Sequence, residues 1–148
     1  MVLVSSCLWG EKCKYNGGDN LSEQVIQYCK GKEVICACPE VLGGLSTPRT
    51  PSEIVGGTAQ DVLEGKAQVL TKDGEEVTSA FIKGAYLTLK LVKEKGIELA
   101  ILKANSPSCG KGQVYDGKFQ KNLILGNGVT AELLKQEGIE VLTELEID

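Results

Sequence analysis

The chain contains no histidine among its 148 residues. That absence excludes a Ser-His-Asp triad, a Cys-His pair and every imidazole-ligated metal site. Chemistry has to come from Cys, Asp/Glu, Ser/Thr, Lys, Arg, Tyr or a bound cofactor. Aromatic residues are scarce, at 5%, which argues against an aromatic platform for base stacking. Basic charge is short as well: 16 Lys+Arg against 20 Asp+Glu leave a net −4, so nucleic-acid binding through bulk charge is disfavoured. No apolar run approaches the roughly 20 residues that span a bilayer. Met1–Val4 lacks the basic start and long apolar segment of a secretory signal. A cytoplasmic location, where thiols stay reduced, is therefore expected.

What is present suits a folded domain. Apolar residues make up 42% and charged residues 24%, ordinary values for a globular chain. A single domain over 1–148 is expected, burying roughly 70% of its unfolded surface without disulfide staples. Val2–Ser6 reads as a short buried strand and Leu21–Lys30 as a helix, with Leu21, Val25, Tyr28 and Cys29 on its inner face. Asn20 and Glu23 have the spacing of a capping-box variant. Glu33–Cys38 reads as the second strand, and Pro39–Pro51, rich in Gly, Pro, Ser and Thr, as a loop. Gln68–Thr71 and Glu75–Val77 flank Asp73-Gly74, a hairpin signal. A long helix is expected over Ser79–Lys95, with Phe81, Ala85, Leu89 and Val92 inward and Gly96 as its stop. Ile97–Lys103 is the most apolar strand, followed by a short strand near Leu123–Leu125, a helix over Val129–Gln136 and a last strand over Ile139–Leu145. Strands alternating with helices predict an α/β fold, a mostly parallel sheet with flanking helices.

In such a sheet ligands bind beyond the carboxyl ends of the strands. Of the six cysteines, Cys7 follows the first strand, Cys38 ends the second and Cys109 lies a few residues past the Ile97 strand. Three thiols therefore converge on one sheet edge. Spacing alone leaves zinc, an iron–sulfur cluster and a plain nucleophilic thiol open. The zinc reading lacks a Cys-x-x-Cys knuckle, since the chain has only Cys36-x-Cys38. Cys36 and Cys29 read as core, and Cys13 as a spare ligand at most.

The motifs carry a resemblance. Ser6-Cys7-Leu8, Gly10, Cys13-Lys14-Tyr15-Asn16-Gly17, Cys38-Pro39-Glu40-Val41-Leu42-Gly43-Gly44-Leu45 and Pro48-Arg49 form one set. Ser106-Pro107-Ser108-Cys109-Gly110, Tyr115-Asp116-Gly117 and Gly128-Val129-Thr130-Ala131 belong to a second. Together these resemble the thiouracil desulfidase (TudS-like) family, long catalogued as a domain of unknown function. The resemblance runs from Leu3 to Glu144. It implies a small α/β enzyme holding a 4Fe–4S cluster through Cys7, Cys38 and Cys109, and a preparation exposed to air can lack that cluster. The implied reaction is a non-redox desulfuration of a thiolated pyrimidine, thiouracil giving uracil and sulfide. In it the open iron binds the substrate sulfur, and water replaces that sulfur on the ring carbon. Glu40 is implied as acid/base and Ser106 as the assisting serine, with Ser108 its competitor. The chemistry is coherent: a thiocarbonyl sulfur is soft, as iron–sulfur centres prefer, and without histidine a carboxylate is the natural base. Arg49 reads either as a structural ion pair or as a group facing substrate.

Gly126-Asn127-Gly128-Val129-Thr130-Ala131 also fits the dinucleotide fingerprint. It begins too near the end of the chain for a full binding module to follow, so tight strand-to-helix packing is the expected role. Two other functions stand beside the desulfidase. One is desulfuration of a thiolated nucleoside in RNA, which the net negative charge disfavours. The other is a non-enzymatic, metal-binding, sulfur-handling module, which would unfold on metal loss.

Overall fold

Short apolar runs bounded by Gly, Pro and Ser make the strands, and longer runs with a 3.6-residue period make the helices. The computed structural model describes residues 1–147. In chain order the elements are β1 (Val2–Ser5), α1 (Glu23–Tyr28), β2 (Val34–Ala37), α2 (Pro39–Leu42), β3 (Ser52–Val55), α3 (Ala59–Leu63) and β4 (Gln68–Thr71). They continue with α4 (Thr78–Lys95), β5 (Leu99–Leu102), β6 (Gln113–Tyr115), β7 (Leu123–Leu125), α5 (Val129–Gln136) and β8 (Glu140–Thr143). Single 3-10 turns cover Ser6–Trp9 and Glu144–Glu146.

Four strands form a parallel sheet in the order β2-β1-β5-β8. Successive side chains point to opposite faces, and the strands use both faces. Val2, Val4 and Ile101 enter one core with Leu8, Val25 and Cys29. Leu3, Ala100, Leu102 and Val141 enter the other, against Phe81, Ala85 and Val92 of α4 and Val129 and Leu134 of α5. The α4 stripe is buried as its periodicity requires, and Gly96, in the left-handed region at φ 65°, ends the helix. Full burial of Phe81 alone contributes about 1.5–3 kcal/mol.

Several expectations need correcting. The first helix is only six residues long, because Asp19 and Ser22 divert the backbone before it. Asp19 Oδ1 accepts the Leu21 N–H, and Ser22 Oγ caps the Val25 N–H at 3.3 Å. Leu21 is left 52% exposed and off the inner face, and Tyr28 lies at 36%. Pro39–Pro51 is not all loop: Pro39, with φ pre-set for a first helical turn, starts α2. The hairpin partner of β4 is β3, antiparallel from Ser52↔Thr71 to Val55↔Gln68, rather than Glu75–Val77. The Asp73-Gly74 turn is real, with Thr71 and Gly74 hydrogen-bonded around it, but its outgoing arm forms one bridge, Leu70↔Glu76. The β7 strand pairs antiparallel with β6, outside the parallel sheet.

Two glycines position α2. A Cβ at Gly84 would lie 1.9 Å from the Pro39 carbonyl oxygen, and one at Gly43 would lie 1.9 Å from that of Ala80. Backbone of α2 therefore rests directly on backbone of α4. Gly84→Ala gains roughly 1 kcal/mol of helix propensity but must push away the turn bearing Cys38 and Glu40. We expect a net loss of about 1–3 kcal/mol, read as a lowered Tm; an unchanged Tm would contradict this packing.

The glycine-rich motif before α5 packs as expected. Gly128 faces the Ser108 backbone, where a Cβ would sit 2.5 Å from the carbonyl carbon. The first amides of α5 donate to the carbonyls of Pro107 and Ser108, so they are not free for a pyrophosphate. Thr130 Oγ1, buried on the same turn, has no hydrogen-bond partner among the described residues. Thr130→Val removes an unpaired hydroxyl at nearly constant volume and is expected to raise stability by up to about 1 kcal/mol in denaturant unfolding. A loss of similar size would reveal a partner for the hydroxyl.

Candidate functional site

The sheet order changes direction at β1: the chain passes from β1 to β2 on one side and later returns to β5 on the other. The crevice at such a switch point, beyond the carboxyl ends of the strands, is where open α/β sheets hold ligands. A cavity of about 620 Å³ opens there. Cys7 reaches it from the 3-10 turn after β1, Cys38 from the residue capping α2 after β2, and Cys109 from the loop after β5. The structure thus brings all three expected cysteines to one cavity.

Cys13 lines the same cavity and is the residue that sequence reasoning undervalued. Its thiol favours the thiolate forms of its cavity neighbours Cys7 and Cys38. With that help, against opposing burial, Cys7 is drawn down to about 7, aided by Asn20 and by the charge of Lys103. Cys38 is likewise drawn to about 7, by Cys13 first, then by the Val41 N–H and the Arg49 charge. The Cys13 thiol is itself pushed up, by Cys38 and Cys7 first and then by burial. Cys109 is pushed up to about 12 by burial, although Ser5 Oγ at 3.4 Å and Ser108 Oγ at 3.7 Å donate to its sulfur. Cys29 and Cys36 do not line the cavity, and burial raises both thiols.

Beside the thiols stands a polar chain. Glu40, in the first turn of α2, is half-buried, its side chain 15% exposed. Its Oε1 pairs with Arg49 Nε at 3.0 Å and its Oε2 accepts from Ser108 Oγ at 2.8 Å. Ser106 Oγ lies 3.0 Å from Ser108 Oγ and accepts the N–H groups of Ser108 and Cys109. Ser106 is therefore one hydrogen bond removed from Glu40, and Ser108 is its direct partner. Arg49 is the structural ion pair that one reading expected, and it also lines the cavity. Its Nη2 donates to the Cys13 carbonyl at 3.0 Å and its Nη1 to Ser46 and Thr47, fastening the Cys13 loop to the Glu40 carboxylate.

The donor set fits an iron–sulfur cluster. It is wholly sulfur, drawn from three separate strand ends, with two thiols poised to ionise near neutrality. Among the described residues no three His, Cys, Asp or Glu side chains form a group that could hold a single metal ion. Lys14, Lys72, Lys103 and Lys121 add positive charge to the cavity wall. Three of the seven aromatics, Tyr15, Tyr115 and Phe119, also line it. Scarcity in the composition therefore did not mean scarcity at the site.

The 2-thiouracil desulfurase family model matches residues 2–146. Uncharacterized protein YbbK of Bacillus subtilis (strain 168) is 51% identical over 148 residues, covering 100% of this chain and 98% of that protein. The solved structure of the [4Fe-4S]-dependent thiouracil desulfidase TudS superposes with a TM-score of 0.85 at 37% identity. That match covers 98% of this chain and 91% of the other. Among the described residues no helix is long and apolar enough to cross a membrane.

Proposed function

The chain belongs to the 2-thiouracil desulfurase family, and on that footing we propose that it converts a thiolated pyrimidine such as thiouracil into the oxo form and sulfide. The observation that carries the proposal is the union, in one cavity, of the sulfur donors with the Arg49–Glu40–Ser108 chain. Cys7, Cys38 and Cys109 would hold a 4Fe–4S cluster. When bound, a cluster with one iron free of protein ligands supplies a soft Lewis acid for the substrate sulfur.

The remaining work falls to the chain's own side chains. Replacement of sulfur by oxygen at a ring carbon needs a water deprotonated on attack, and Glu40 is the carboxylate beside the thiols. Its Oε1 is fixed by Arg49, so proton movement is assigned to Oε2. Ser108 Oγ, which donates to Oε2, keeps that oxygen aimed and passes on the orientation set by Ser106. Ser106 thus assists through Ser108 while fixing the loop that carries Cys109. Burial of Cys109 keeps water from one side of the thiol set.

Anaerobic reconstitution followed by iron and acid-labile sulfide analysis and a thiouracil turnover assay tests the proposal. About four iron and four sulfide per chain, broad visible absorption and stoichiometric sulfide release are expected. Tight zinc without iron–sulfur binding would sink it. The cavity lysines favour a second reading, a thiolated nucleoside carried in RNA; binding of thiolated tRNA that weakens steeply with salt would support that one.

A further inference from the structure

Between the β6 and β7 strands the chain turns through residues 116–122, and the loop sits on β3 at the cavity wall. Glu53 of β3 is only 8% exposed, yet it forms no ion pair among the described residues. Its Oε1 instead accepts two backbone N–H groups of that loop, Gly117 at 2.9 Å and Phe119 at 3.2 Å. A buried carboxylate without a cation needs such donors. The loop it grips is unusual: Phe119 at φ 57° and Lys121 at φ 62° both occupy the left-handed region without being glycine. Gly117, at φ 90°, lies so close to β3 that a Cβ there would meet the Ile54 carbonyl oxygen at 2.6 Å. Side chains accept such backbone conformations only where the surroundings over-determine them, commonly at ligand clamps. Phe119 and Glu53 both line the cavity.

The geometry points to Glu53 as a positioning residue that holds Phe119 as an aromatic wall against the flat face of the thiolated ring. Of the aromatics at the cavity, Phe119 is the one whose own amide this buried carboxylate grips. A planar heterocycle gains from stacking on a fixed ring, and a ring fixed beforehand costs no ordering on binding. The inference rests on the thiopyrimidine reading above for its ligand. It adds a specificity determinant separate from the thiols and from Glu40.

The test uses the reconstituted enzyme and 2-thiouracil. Phe119→Ala is expected to raise KM about tenfold, the equivalent of about 1.4 kcal/mol, with kcat and iron per chain within about twofold of the parent. Glu53→Ala should raise KM similarly, and the double variant should be no worse than Phe119→Ala alone, because the two act as one unit. Glu53→Gln keeps an oxygen that accepts both amides and should restore the parent KM. Amide hydrogen exchange supplies a readout independent of substrate: Gly117 and Phe119 exchange faster in Glu53→Ala and at the parental rate in Glu53→Gln. Should Glu53→Ala fail to fold, Glu53→Asp, one methylene shorter, carries the same expectations. Independent, multiplying effects in the double variant, a fall in kcat with KM unchanged, or unaltered exchange at both amides would overturn the inference. A parent enzyme that turns over no thiopyrimidine would overturn the proposed function and the stacking role together, while faster exchange in Glu53→Ala would still show the grip on the loop.

Discussion

Serine in place of Cys7, Cys38 or Cys109 is expected to abolish sulfide release from thiouracil and to lower the iron retained after anaerobic reconstitution. A hydroxyl is a harder and far less acidic ligand than a thiol, so it does not substitute for a thiolate toward iron. Each of the three enters the cavity from a different strand end, and Cys13, in the same connection as Cys7, also lines it. Cys13→Ser separates three-cysteine from four-cysteine ligation. If Cys13 only supports the thiolate forms of Cys7 and Cys38, its loss should leave iron content near the parent value. If it were a ligand, iron would fall as in the other three. Cys29→Ser and Cys36→Ser, away from the cavity, serve as controls that keep turnover. Full sulfide release from any one of the Cys7, Cys38 or Cys109 variants would refute their role.

Glu40→Gln is expected to lower kcat by about 10²–10⁴-fold, the usual contribution of a positioned acid or base, with the iron and sulfide content unchanged. The amide keeps the shape of the side chain and still offers an oxygen to Arg49 or Ser108, but it cannot take a proton from water. Paired measurement of iron per chain and sulfide release distinguishes lost chemistry from a lost cluster. This matters because Glu40, in the first turn of α2, sits two residues from Cys38, which caps that helix. A fall of less than tenfold with full iron would remove Glu40 from the acid/base role. Ser108→Ala should fall further than Ser106→Ala in the same assay, since only Ser108 contacts the carboxylate.

The regular elements were largely readable because each follows from a local rule. The α4 helix carries its apolar residues at helical spacing and stops at Gly96; α5 spans Val129–Gln136 as its pattern requires. The misreadings have local causes too. Side-chain bonds from Asp19 and Ser22 compete with helical backbone bonds and shorten α1. The Pro39–Leu42 turn was hidden inside a Gly- and Pro-rich stretch, where Pro reads as a breaker although it also starts helices. The β3 strand was missed because its four residues include the charged Glu53, whose burial depends on amides some 64 positions away in the sequence.

The order of strand, cysteine and helix along the chain was enough to bring Cys7, Cys38 and Cys109 to one sheet edge, because parallel strands all end on the same side. The missing histidine likewise removed the commonest general base and made a carboxylate the natural candidate. Tertiary structure alone decided what surrounds those residues. Arg49 reaches both Glu40 and the Cys13 carbonyl only because the loop after α2 folds back across the site. Ser108, not Ser106, meets Glu40 because α2 is seated on α4 through Gly43 and Gly84, while the Ser106 hydroxyl is turned toward the backbone of its own loop. Composition averages over the whole chain, whereas folding gathers three aromatics and four lysines at one cavity. Contacts between residues tens of positions apart depend on how layers pack, and no local pattern encodes that packing.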